Sequence, residues 1–374
     1  MSRRLGPRLL LAALVALGLA LRLWGIGFSA STPVGRPDEE IFAVGALHMF
    51  GRPYDRYDTG WPGGFFVLWH AVLWIEHLWY RLRYGGGAGV DMGCLVAVHP
   101  LGAYLPVRVV SAALGAGTSW IVARTAAEVA PERPAAPLWA AALYAVNYLV
   151  GRDGHFAVSD APLCFEIALA LLCCARAVTR DARWLAAAAF VAGTAFSTKY
   201  SAVGLLFAGA AVAVEIARRE PARARVVLPA AVAAFVAGVL LWSPGIATHW
   251  SAFGAGFLGH FSRYRPLDTP AGAIFYPGTV FPAAFGWAGF LLALVGLGLC
   301  LRRRAGVFLG VYAFMFFACV LGPVHAIFVR YASPVVPALA VAGGLAAAAL
   351  GARFPARLRR PAEVALALAL LAPP

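Results

Sequence analysis

The feature that most constrains this chain is a series of apolar runs separated by short arginine-bearing segments. The runs are roughly 15–22 residues long, which suits membrane-spanning helices; barrel strands would instead show weak alternation over about 10 residues. They fall at 9–27, 102–123, 137–150, 157–178, 184–198, 200–217, 226–243, 283–301, 306–322 and 334–350, with a short further run at 362–372. Composition agrees. Of 374 residues, 61% are hydrophobic and 13% charged, and the mean hydropathy is +0.77. Soluble domains carry about 45–50% apolar and about 25% charged residues. A soluble globular enzyme and a disordered chain are both excluded. The expected fold class is an all-α polytopic membrane protein, one domain over 1–374, with about 10–11 spans and no soluble C-terminal domain. The arginine-led, apolar N-terminus has no clear small-residue cleavage site and reads as an uncleaved first span.

The formal charge of +14 raises the question of nucleic acid. The basic residues, all arginine except Lys199, lie in clusters between apolar runs, the pattern of cytoplasmic loops. No nucleic-acid partner is expected. The six cysteines form no CxxC pair, and all but Cys94 lie within apolar runs, so neither a disulfide framework nor a zinc site is indicated.

One segment is ambiguous. Residues 61–80 (WPGGFFVLWHAVLWIEHLWY) are long enough to span, yet carry four tryptophans, His70, Glu76 and His77. Aromatic rings with polar tips favour the interface, and ionisable groups are costly in hydrocarbon. With 61–80 lying in the interface and the N-terminus inside, every dense arginine cluster is cytoplasmic, 19 of the 31 basic residues. With 61–80 crossing, all clusters after the first face outward. The first topology is expected. It makes 28–101 and 244–282 the large extracytoplasmic loops and puts the polar chemistry at the outer membrane–water boundary.

Four constellations there carry chemistry. Asp38-Glu39-Glu40 is a run of carboxylates that needs a cation, a metal or a proton to relieve it; it suits a general base, a divalent-ion site or the acidic first turn of a helix. Asp160, after Arg152-Asp153-Gly154-His155, opens a span, either as a helix-dipole partner or to orient a substrate. Lys199, between two apolar runs, either snorkels or pairs with an anion such as a phosphate. Arg330-Tyr331, with no acidic neighbour in sequence, is an interfacial cation or a phosphate holder. Arg263-Tyr264-Arg265 is a weaker version of that idea, and His70, His77 and Glu76 share a helix that could offer a metal site or an amphipathic surface.

Taken in order, these parts resemble a known family. An outer Asp-Glu follows the first span. Next come a Pro-Gly-aromatic helix and an arginine-bearing span start (Pro106-Val107-Arg108), then Arg152…Asp160-Ala161-Pro162-Leu163, a Thr-Lys-Tyr bend and a late Arg330-Tyr331-x-x-Pro334. The order is similar to that of the GT-C superfamily of membrane glycosyltransferases, in the protein-mannosyltransferase and aminoarabinose-transferase-like branch (family 39). The resemblance implies a sugar donor on a polyprenyl phosphate, transferred with inversion to a lipid, glycan or protein acceptor outside the cytoplasm of a bacterial-type inner or plasma membrane. It implies Asp38 as catalytic base, Glu39 beside it and Asp160 as a second acid, with Arg152, Lys199, Arg330, Tyr331, Arg263 and Tyr264 on the substrate. No cofactor is required by it, although a divalent metal is compatible. The family's usual Lys/His-Pro-Pro is Trp61-Pro62-Gly63 here. A transporter or flippase of a lipid-linked saccharide is the competing class, but it would place its charges near the midplane in matched halves.

Overall fold

The computed structural model describes residues 5–28, 37–50, 62–84, 100–262, 271–323 and 327–355. Within hydrocarbon a chain must satisfy its own backbone groups, so the apolar runs form helices. In order they are α1 (Leu5–Leu23), α2 (Pro37–His48), α3 (Gly64–Tyr84), α4 (Pro100–Val129), α5 (Ala136–Ala145), α6 (Tyr148–Asp153), α7 (Asp160–Thr179) and α8 (Trp184–Thr198). There follow α9 (Leu205–Arg219), α10 (Pro221–Trp242), α11 (Gly245–Thr248), α12 (Trp250–Ser262), α13 (Ala271–Phe275), α14 (Phe281–Leu301), α15 (Val307–Phe316) and α16 (Val336–Gly351). Among the described residues, seven helices are long and apolar enough to cross a membrane, and three shorter apolar ones (Ala136–Ala145, Trp184–Thr198, Val307–Leu321) lie among them. These match the apolar runs of the sequence closely. The short run at 362–372 lies outside the described residues.

The bundle is layered by composition. Helix α16, made largely of Ala, Gly, Val and Leu, is buried over 89% of its apolar window and α7 over 72%, whereas α1 is buried over 11%. Small side chains let α16 approach its neighbours closely, the usual means of helix association in a membrane. Large apolar side chains on the outer helices, among them Leu9, Val226, Val232, Leu241 and Val295, are exposed and face the lipid. Helix α14 breaks at Gly286, whose φ of 68° only glycine adopts without strain.

The two ends of the bundle differ in chemistry. At one end, Glu128 meets Arg180 at 2.5 Å and Arg176 at 3.7 Å, Arg303 meets Glu132 at 2.5 Å, and Arg223 meets Asp181 at 2.5 Å. This belt gathers the arginine-rich loops that the sequence assigns to one side. Asp160 and the Lys199 bend lie at the opposite ends of α7 and α8.

Helices α8 and α10 cross backbone to backbone. A Cβ on Gly193 would stand 2.2 Å from the Phe235 oxygen, and one on Gly238 2.2 Å from the Phe190 oxygen. Ser197 Oγ, two residues before Lys199, donates to the Val239 oxygen at 3.0 Å across the same interface. Gly193→Leu is therefore expected to force the helices apart and lower stability by about 1–3 kcal/mol, measured as the thermal midpoint in detergent. An unchanged midpoint would mean that the two backbones do not approach this closely.

Candidate active site

The carboxylate run at the start of α2 is relieved by two arginines. Asp38 forms an ion pair with Arg330. Glu39 is fully buried and takes a two-pronged pair from Arg108, with Nε and Nη2 donating at 2.9 and 2.8 Å. Arg108 Nη1 also donates to the Ile26 and Phe28 oxygens at 3.0 Å each, and its guanidinium lies 4.0 Å over the Phe28 ring. Glu40 stays exposed. Three neighbours in sequence thus take three surroundings, because one helical turn sends them in different directions. Among the described residues no group of three or more His, Cys, Asp or Glu comes together to hold a metal ion. The expectation for Glu39 changes, since its Oε1 also accepts the Ala157 N–H at 2.6 Å and leaves it no open face for a reactant.

That bond ties the first loop to the peptide leading into Asp160. The Ala157 oxygen accepts from Trp69 Nε1 on α3 at 3.0 Å, so both backbone groups of Ala157 are held by side chains from the 28–101 region. Three residues later Asp160 opens α7, buried, and accepts a 2.7 Å hydrogen bond from Lys199 Nζ. Lys199 sits in extended backbone where α8 ends. Its Nζ also lies 5.7 Å over the Tyr331 ring. The Asp38–Arg330 and Asp160–Lys199 pairs are thus joined through Tyr331, the residue after Arg330. The premise that Lys199 and Arg330 lack acidic partners held only in sequence: 39 residues separate Lys199 from Asp160, and Asp38 reaches Arg330 from the other end of the chain.

Arg152 is partly exposed and donates to Asp153 Oδ1 from Nε at 3.0 Å and Nη2 at 2.7 Å. Asp153 is buried and accepts from Ser333 Oγ at 2.7 Å. Burial, then the neighbouring Asp160, pushes its carboxyl above the usual range, against Arg152 and Ser333. The Val329–Val335 turn carrying Arg330 and Ser333 is fixed by Tyr276 Oη to the Phe328 oxygen, Tyr312 Oη to the Pro334 oxygen (3.0 Å each) and Cys164 Sγ to the Ser333 oxygen at 3.2 Å. A cavity of about 430 Å³, walled in part by Phe28, Asn147, Arg152 and Phe156, opens beside Arg152. Arg263 and Tyr264 lie outside the described residues.

The departure at Trp61-Pro62-Gly63 has a packing reason. The Gly63 N–H donates to Ser243 Oγ at 3.1 Å, and a Cβ on Gly64 would stand 2.7 Å from the Ser197 oxygen. Gly63 thus meets the end of α10, and Gly64 lets α3 begin directly against the end of α8, two residues from Lys199. Helix α3 is not among those long and apolar enough to span. Its Trp74, Ile75, Leu78, Trp79 and Leu82 are exposed, while His70 turns Nδ1 toward the Ala46 oxygen at 3.0 Å and meets the Phe50 ring edge to face. Burial raises the Glu76 carboxyl on the same helix to about 7 from its ordinary 4.5. Raised in the folded state, this group costs no stability below about pH 4.5, and the cost grows until about pH 7. Glu76→Gln is therefore expected to flatten the fall in thermal midpoint between those pH values; a fall identical to that of the parent chain would place the carboxylate in water.

Arg108, Asp153 and Ser333 were not among the site residues expected from the sequence. An arginine inside an otherwise apolar span start was a signal for the first, because hydrocarbon does not tolerate an unpaired one. Ser333 carried no signal.

Residues 102–244 match the family model described as dolichyl-phosphate-mannose-protein mannosyltransferase. No curated protein matches the chain. Among solved structures, ArnT from Cupriavidus metallidurans superposes in its apo state with a TM-score of 0.64 at 17% identity, over 95% of this chain and 62% of that one. The same enzyme bound to undecaprenyl phosphate gives 0.62 at 17% identity, over 96% and 62%. The archaeal oligosaccharyltransferase AglB from Archaeoglobus fulgidus, in complex with an inhibitory peptide and a dolichol-phosphate, gives 0.57 at 16%, over 99% and 55%. The chain thus spans about three fifths of the ArnT length, 62%. It has the GT-C fold of these membrane glycosyltransferases, and its central segment, residues 102–244, matches the protein-mannosyltransferase family.

Proposed function

We propose that this chain is a glycosyltransferase that moves a sugar from a polyprenyl-phosphate carrier to an acceptor on the extracytoplasmic face. The observation that carries the reading is the paired array at one end of the bundle, in which Asp38 meets Arg330 and Asp160 meets Lys199. The family segment and the fold shared with ArnT support it. So does the arginine belt at the opposite end, which by the positive-inside rule is cytoplasmic. Helix α3 then lies in the outer interface with its exposed tryptophans in the headgroup region.

In this reading the donor phosphate draws Arg330 and Lys199 away from their carboxylates. Asp38, released, takes the proton of an acceptor hydroxyl or amine. The acceptor atom attacks the anomeric carbon from the face opposite the phosphate, the bond from that carbon to the phosphate oxygen breaks, and the configuration inverts. The leaving polyprenyl phosphate keeps the electron pair, and the two cations stabilise its charge. Asp160 holds Lys199 in place between turnovers. Glu39 and Arg108 position the base from beneath, and Arg152 with its cavity, within the size range of small-molecule sites, admits the sugar or the acceptor.

The test is incubation of membranes containing the chain with labelled polyprenyl-phosphate sugars and identification of the labelled product. Label found only on the carrier, now on the opposite leaflet, would make the chain a flippase. Lys199→Met and Arg330→Met are each expected to weaken donor binding by about 1–3 kcal/mol, the worth of a charged hydrogen bond, and to slow transfer in step. Parent-like donor binding in both variants would return these residues to a purely structural role.

A further inference from the structure

A second ligand site lies at the other end of the bundle. Between α9 and α15, with Val178 of α7 beside them, runs a groove of about 870 Å³. Its wall is apolar, with Phe207, Val311 and Met315, and at one end it carries Arg218, Arg219 and Arg304 with a single acid, Glu215. Arg219 is held by Glu215 one turn away. Arg218 and Arg304 are exposed and meet no acidic side chain among the described residues. From Phe207 to Arg219 helix α9 rises about 18 Å at 1.5 Å per residue, close to the roughly 15 Å thickness of one hydrocarbon leaflet. The groove is therefore about one leaflet deep, greasy along its length and cationic where the headgroups lie.

We propose that this groove binds an anionic phospholipid of the arginine-side leaflet, with an acyl chain in the apolar slot and the phosphodiester on Arg218 and Arg304. Charge complementarity selects the occupant. A neutral or zwitterionic lipid fills the slot equally well but offers no net charge to two unpaired guanidinium groups, whereas an anionic headgroup satisfies both. A free phosphate lacks the chain that the slot would bury. The site is separate from the candidate active site, because Lys199 and Arg219 stand at opposite ends of the span Tyr200–Arg219, and it does not depend on the reaction proposed above.

The chain is reconstituted into vesicles of equal parts phosphatidylglycerol and phosphatidylcholine with matched acyl chains, extracted, and weighed with its bound lipid by native mass spectrometry. Phosphatidylglycerol is expected to be retained in preference. The double variant Arg218→Gln/Arg304→Gln is expected to lose it by at least about tenfold, the equivalent of roughly 1.4 kcal/mol. Arg225→Gln, an exposed arginine outside the groove, is expected to keep it. Val311→Trp, which fills the slot, is expected to lose both lipids; should it not fold, the charge variants decide alone. Equal retention of the two lipids overturns the proposal. So do an unchanged double variant, a loss as large in Arg225→Gln, or a mass of two chains with no lipid bound.

Discussion

Asp38→Asn is expected to lower sugar transfer by about 10²–10⁴-fold, the usual contribution of a general base, with donor binding close to that of the parent chain. Asparagine keeps the shape of the side chain but cannot take a proton. It also releases Arg330, which then holds the donor phosphate without competition from the carboxylate it pairs with in this structure. The two effects separate the roles. Loss of turnover with retained or tightened donor binding identifies a base, whereas parallel loss of both would mean that Asp38 serves only to hold Arg330 in place. Turnover near that of the parent would leave Asp38 as the acidic first turn of α2 and nothing more. The measurement is single-turnover transfer from a labelled polyprenyl-phosphate sugar beside equilibrium binding of the unlabelled donor.

The second large effect concerns stability. Arg108→Met is expected to destabilise the fold by about 3–5 kcal/mol, the cost of leaving a buried charge without its partner. Glu39 is fully buried, and Arg108 supplies two of its hydrogen bonds. Its remaining partner, the Ala157 N–H, does not neutralise it. The double variant Glu39→Gln/Arg108→Met removes the stranded charge and is expected to recover much of the loss in thermal midpoint. The Ala157 clamp weakens in both, so transfer is expected to stay low even where the fold recovers. Equal destabilisation of the single and double variants would show that packing of the long side chains, not the charge, makes the difference.

Much of the architecture was legible before any coordinates. Runs of some 20 apolar residues have one stable solution in a bilayer, and an uninterrupted helix needs no partner to satisfy its backbone. The span limits read from composition therefore fall within six residues of those of α1, α4, α7 and α10. The expectation that 61–80 lies in the interface rested on a related cost, that of Glu76 and the two histidines in hydrocarbon. Pairing was not legible. Arg330 and Lys199 each lack an acid nearby in sequence, and the sequence left them as free cations awaiting a phosphate. The fold gives each a carboxylate partner.

The sequence by itself determined that the chain lives in a membrane, where its helices run, and which end gathers arginine, because these follow from transfer free energy summed along the chain. Only the tertiary structure decided that Asp38 takes Arg330 while Glu39, the next residue, takes Arg108. It alone decided that Ala157 is gripped from both sides by Glu39 and Trp69, and that α3 begins against the ends of α8 and α10 through Gly64 and Gly63. Each of these depends on which faces of distant helices meet. That is fixed by packing of small residues over 40 to 180 positions of sequence, as in Ser197 to Val239 and Gly63 to Ser243, and no local pattern of charge or hydropathy records it.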